Sequence, residues 1–140
     1  MDHFKRGPLE PSPEDDRIYD RVRESVNLAA PKFAEFRSKF EPSDGPLPMI
    51  FLNYVSLYVA GECDDATTST LAADRVNKIL SILEDSLEGA TPWWYTQVYH
   101  GFIEQVPDFR RCAWIITLFG PKLKAVWDDW LSFHPGFSPL

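Results

Sequence analysis

Between residues 72 and 106 the chain keeps a helical rhythm. Ala72, Val76, Ile79, Leu80, Leu83 and Leu87 fall at steps of three and four, while Asp74, Lys78, Ser81, Asp85 and Glu88 take the other side. A single apolar stripe at that spacing predicts an amphipathic α-helix. Gly89 follows the last apolar residue, where a left-handed cap is wanted and glycine adopts it most cheaply. Thr91-Pro92 then restarts the chain. Threonine can cap a new helix, and proline at the first helical position gives up an N–H that has no partner there. Trp94, Val98, Phe102 and Val106 form the stripe of this second helix, predicted over 93–106 and stopped by Pro107. Two such stripes on antiparallel neighbours face a shared core.

Upstream, Ser12-Pro13-Glu14-Asp15 is a helix start, with a capping serine, a first-position proline and acids in the first turn. Ile18, Val22, Val26 and Ala29 make its stripe, and Pro31 kinks this helix or begins another. Phe33, Phe36 and Phe40 continue an apolar edge to Pro42, and Ser43-Asp44-Gly45-Pro46 reads as a turn. Pro48–Ala60 is apolar almost all round. Its β-branched and aromatic residues would also suit a strand, but its neighbours are helical and no partner strand exists. It reads as a helix ended by Gly61, and a helix apolar on all faces belongs at the centre of a fold. Glu62–Thr70 reads as a polar loop with Asp64-Asp65 at its tip. Phe109, Cys112, Ile116 and Phe119 predict a short helix. Gly120-Pro121 opens the last one, striped by Leu123, Val126, Trp127, Trp130 and Leu131. The expected fold is all-α, an irregular antiparallel bundle of five to six helices around the apolar helix near 48–60. Residues 1–11 read as a flexible tail and 12–140 as a single helical domain, long enough to bury about two-thirds of its unfolded surface.

Charge adds a second layer. The net charge is −7. Residues 47–108 hold nine acids and two bases, whereas 1–46 hold ten against eight and 109–140 two against four. The acidic excess therefore sits in the middle of the chain. That disfavours a nucleic-acid binder, which needs a basic face to displace counterions, and suits either solubility alone or a basic protein partner. No apolar run reaches the roughly 18 residues of a membrane span. No apolar segment follows Lys5-Arg6, so no secretory signal is expected, and the two cysteines, Cys63 and Cys112, read as free thiols of a cytoplasmic protein.

Candidate catalytic groups are few. His100 and Glu104 stand four apart and share a face, but no second histidine lies at zinc spacing. Asp64-Asp65 and Asp128-Asp129 are adjacent acids whose side chains diverge on a helix. No glycine-rich phosphate loop occurs. The expectation is a non-enzyme with no metal and no cofactor. Trp93-Trp94-Tyr95 carries more information. Consecutive helical residues diverge by about 100°, so with Trp94 in the stripe, Trp93 or Tyr95 is at least partly exposed. Such rings are common interface anchors. With Asp64, Asp65, Glu84, Asp85 and Glu88 they make the expected protein-binding surface.

Gly101-Phe102-Ile103-Glu104 in a helix, followed by Phe119-Gly120-Pro121-Lys122 and Trp127, resembles the motif pair of a group of small helical bacterial proteins. Leu47-Pro48 with Phe51-Leu52 resembles that group's first core helix. The resemblance implies an immunity protein of a polymorphic-toxin system. Such a protein binds a cognate toxin domain and catalyses nothing, and Glu104 and Trp127 would be structural in it. An acidic inhibitor is steered quickly to a basic toxin cleft. The alternative is an acidic adaptor or regulatory module that binds some other cellular protein.

Overall fold

The structure, a computed structural model, describes residues 11–38, 48–66 and 68–138. These fold as α1 (Pro13–Ala29), α2 (Phe33–Ser38), α3 (Pro48–Asp65), α4 (Thr70–Ser86), α5 (Pro92–Gly101), a 3₁₀ helix (Ile103–Asp108), α6 (Cys112–Ile116) and α7 (Pro121–Ser132). No strand occurs among the described residues, so the fold is all-α. The tail before residue 11, Phe40 and the turn at Ser43–Pro46 lie outside the described residues.

Most predicted stripe positions are buried; Ala29, Ile116, Phe119 and Leu131 are only half-buried, and the short helix, Cys112–Ile116, turns Ile115 inward rather than Ile116. All six stripe residues of α4 and its following turn are buried, and all five polar counterparts are exposed. Trp94, Val98, Phe102 and Val106 have no accessible surface. Each buried aliphatic or aromatic side chain contributes about 1.5–3 kcal/mol relative to leaving it in water. The punctuation also holds. Ser12 and Asp15 form a capping box at the start of α1, and Thr91 caps α5 through the Trp94 amide. Gly89 is in the left-handed region at φ 64°. Pro31 separates two helices rather than kinking one.

Two further boundaries differ from the sequence reading. Helix α3 does not stop at Gly61; it continues to Asp65, and the polar loop shrinks to the residues before Thr70. Burial explains the extension. Leu52, Val55, Val59 and Cys63 follow one another on the buried face, and Glu62 pairs with Arg75 of α4. These contacts outweigh the about 1 kcal/mol that glycine costs inside a helix. The second difference is that α5 ends at Gly101, and Pro107 lies inside a 3₁₀ helix instead of stopping an α-helix. At three residues per turn, Ile103 and Val106 point the same way, and both are fully buried.

Helix α3 packs against α2, α4, α5 and the 3₁₀ helix. It is not enclosed on every side, because Ile50 and Leu57 stay 39% and 53% exposed. The crossing with α5 is very close. A Cβ on Gly101 would stand 2.7 Å from Leu52 Cβ and 3.0 Å from the Met49 carbonyl oxygen. On the far side of α5, the Trp94 indole N–H donates to Ser86 Oγ at 3.0 Å, and Ser86 donates to the Leu83 carbonyl at 2.7 Å. The large ring is thus buried with its polar atom satisfied.

Two expectations follow from this packing. Gly101→Ala should destabilise the protein by about 1–3 kcal/mol through overpacking. Gly61→Ala, where a Cβ meets nothing within 4 Å, should stabilise it by about 0.5–1 kcal/mol. Urea unfolding of the two variants checks the contrast, and equal midpoints would refute the close crossing. The second expectation concerns pH. Burial pushes the Cys63 thiol up to about 12 and raises Cys112 as well. In the unfolded chain a thiol ionises near about 8.5. The folded state therefore disfavours the thiolate. The contribution is complete below about pH 8.5 and is lost as pH rises from there toward the folded value. The urea midpoint should fall above that pH, and less steeply in Cys63→Ala; parallel slopes would contradict the assignment.

Candidate functional site

The seven residues expected to form a binding surface do not come together as one patch. Asp64 and Asp65 are exposed in the last turn of α3, next to the start of α4. Asp85 and Glu88 are exposed at the other end of α4. The intervening helix rises about 1.5 Å per residue, so about 20 Å separates the two acidic ends.

At the α4–α5 corner each side chain has its own task. Glu84 is half-buried, and its carboxylate accepts from the backbone N–H groups of Lys122 at 2.9 Å and Leu123 at 2.8 Å. These are first-turn amides of α7, whose N-cap, Gly120, has no side chain to offer. An acid from a neighbouring helix satisfies them and sits at the positive end of the α7 dipole. The glycine is what admits it, since a Cβ on Gly120 would lie 2.6 Å from Glu84 Cδ. Glu84 therefore holds α7 to α4.

Glu88 reaches Lys122 Nζ at 2.8 Å. That hydrogen bond lowers the Glu88 pKa and raises that of Lys122. Asp85 is exposed and makes no ion pair among the described residues. Trp93 is half-buried with its ring 6.5 Å from that of Trp94. Tyr95 is also half-buried, and its hydroxyl donates to Asp129 of α7. Burial first, and then this bond, raises the Tyr95 pKa. Both rings flanking Trp94 are thus partly exposed, where their spacing required it of at least one. Tyr95 ties two helices, and Trp93 follows the exposed Asp85 and Glu88 closely in the chain.

The remaining chemistry is sparse. His100 Nδ1 lies 2.9 Å from Glu104 Oε1, joining the end of α5 to the 3₁₀ helix. No group of three histidine, cysteine or acidic side chains that could hold a metal ion occurs among the described residues. No helix among them is long and apolar enough to cross a membrane. The motif residues have packing tasks. Gly101 admits α3, Gly120 admits Glu84, Phe102 and Ile103 are fully buried, and Trp127 stacks on Trp130 at 5.1 Å. The sequence reading missed the Glu84 cap. Its signal was present, however: Gly120 starts a helix with no capping oxygen of its own.

Glu84→Ala should cost about 1–2 kcal/mol by leaving two α7 amides without their cap. Asp85→Ala and Glu88→Ala should each stay within about 0.5 kcal/mol of the parent. Thermal or urea unfolding separates the three, and a neutral Glu84→Ala would show that the cap carries no weight. Compared with known proteins, the chain matches no family model, no curated protein and no solved structure.

Proposed function

We propose that this chain is an immunity protein, a non-catalytic binder that neutralises a cognate cytoplasm-acting toxin by covering its basic active-site cleft. The observation that carries the reading is the α4–α5 corner. There Asp85 stands exposed with no ion pair among the described residues, and Glu88 is exposed with its carboxylate on Lys122, both close in sequence to the half-exposed Trp93. A half-exposed aromatic ring close in sequence to exposed acids is a composition that a basic protein surface recognises. The chain's net charge of −7 adds long-range steering toward such a surface. Asp64 and Asp65 extend the negative field from the far end of α4, whereas Glu84 and the Tyr95 hydroxyl face inward and contribute position rather than contact.

The test is co-expression with the toxin domain encoded beside this chain, scored by growth and by co-purification at low and high salt. Rescue with a salt-sensitive complex is expected. Asp85→Lys with Glu88→Lys should slow association about tenfold or more at low salt, with an unchanged circular dichroism spectrum. An association rate untouched by the double reversal would remove this corner from the interface. Absence of both rescue and complex would favour the adaptor alternative.

A further inference from the structure

A separate feature lies on the opposite end of α4. Between α2, the C-terminal half of α3 and the start of α4 is a cavity of about 550 Å³, within the range of small-ligand sites. Its apolar wall is the Phe36 and Tyr58 rings, 5.5 Å apart and edge to face, with Phe33 behind Tyr58 at 5.6 Å. Its polar wall is Arg75. Arg75 Nε donates to Glu62, and both groups lie close enough to Tyr58 to shift its ionisation. A guanidinium has five N–H donors. The ones left over by Glu62 and Tyr58 have no protein partner among the described residues. The Arg75 side chain is only 32% exposed and that of Glu62 12%, so the fork is fixed in place before any ligand arrives. Lys32, on the rim, adds a second cation.

We propose that this cavity binds a monocarboxylate bearing an aromatic group, its ring against Phe36 and Tyr58 and its carboxylate on the free Arg75 donors with Lys32 alongside. The geometry selects against other classes. A guanidinium already oriented by one acid is matched to a planar carboxylate, which it grips through two parallel N–H bonds. Glu62 already sits on the same guanidinium, and its charge opposes a ligand with two or three negative charges, such as a phosphate. The two sources of this chemistry are a free aromatic acid and the C-terminal residue of a polypeptide.

The experiment is amide-detected NMR titration of the full chain with 3-phenylpropionate, its alcohol 3-phenylpropanol, and acetyl-Gly-Phe as free acid and as C-terminal amide. The acids should shift amides around Lys32, Tyr58 and Arg75 with Kd values of about 1 mM or tighter, and the alcohol and the amide should bind about tenfold more weakly. Lys32→Ala, at an exposed position, should weaken the acids several-fold. Arg75→Lys, which retains a charge for Glu62 but loses the fork, should weaken them about tenfold. Tighter binding of acetyl-Gly-Phe than of 3-phenylpropionate would identify a chain terminus as the source, and the reverse order a free acid. Equal binding of acid and alcohol, shifts that map elsewhere, or no shift at about 10 mM would overturn the proposal. These outcomes leave the α4–α5 corner untouched, so either reading can fail alone.

Discussion

Asp15 is the one charged side chain among the described residues with no accessible surface. An ionised carboxylate cannot be taken out of water without partners. Its Oδ2 accepts from the Ser12 amide at 2.8 Å and the Ser12 hydroxyl at 2.9 Å, and its Oδ1 accepts from the Thr91 hydroxyl. Thr91 Oγ1 in turn accepts from the Trp94 amide at 3.1 Å. One carboxylate thereby closes the N-terminus of α1 and joins it to the N-terminus of α5. Both ends carry the positive pole of a helix dipole, which favours the charge there. With that join in place, Tyr19 comes to lie 6.5 Å from Trp94 and 5.8 Å from Phe51, and α1 is committed to the core.

The same physics divides the acids of the middle region into two kinds. Glu62 and Glu84 are tied to groups on other helices, where each has a donor. Asp64, Asp65 and Asp85 point to water, and Glu88 is exposed with its carboxylate on Lys122. Only the second kind can steer a partner, because a carboxylate bound to backbone amides has already exchanged its solvent for fixed donors. The surface charge available for recognition is therefore smaller than a count of acids suggests, and it is concentrated at the two ends of α4. Those ends have different character. The end near α5 is aromatic and acidic, whereas the end near α2 is a cavity in which acids and bases are mixed.

Packing at the two motif glycines shows how closely the elements depend on one another. Gly101 lets α5 approach α3 until Leu52 is in contact, and Gly120 lets Glu84 reach the start of α7. Neither glycine is in an unusual backbone conformation, since among the described residues only Gly89 has a positive φ. Their role is the absent side chain. That is a property of the partner helix as much as of the glycine, and no local pattern reveals it.

Much was legible in the chain itself. Stripes at steps of three and four named the buried faces of α1, α4, α5 and α7, and the Ser12, Thr91 and Gly89 signals marked helix ends, because burial periodicity and capping act over one or two turns. The same local rules misplaced the end of α3 at Gly61 and of α5 at Pro107. There, distant contacts decided: Cys63 entered the core, Glu62 met Arg75, and Ile103 and Val106 were drawn inward together. Likewise the sequence named the acids and aromatics of the α4–α5 corner, but it could not sort Glu84 and Tyr95 from Asp85 and Trp93. Composition and spacing determine which residues are apolar, charged or able to cap. Which acid finds an amide on another helix, and which is left facing water, depends on distances across the bundle that exist only once the helices have packed.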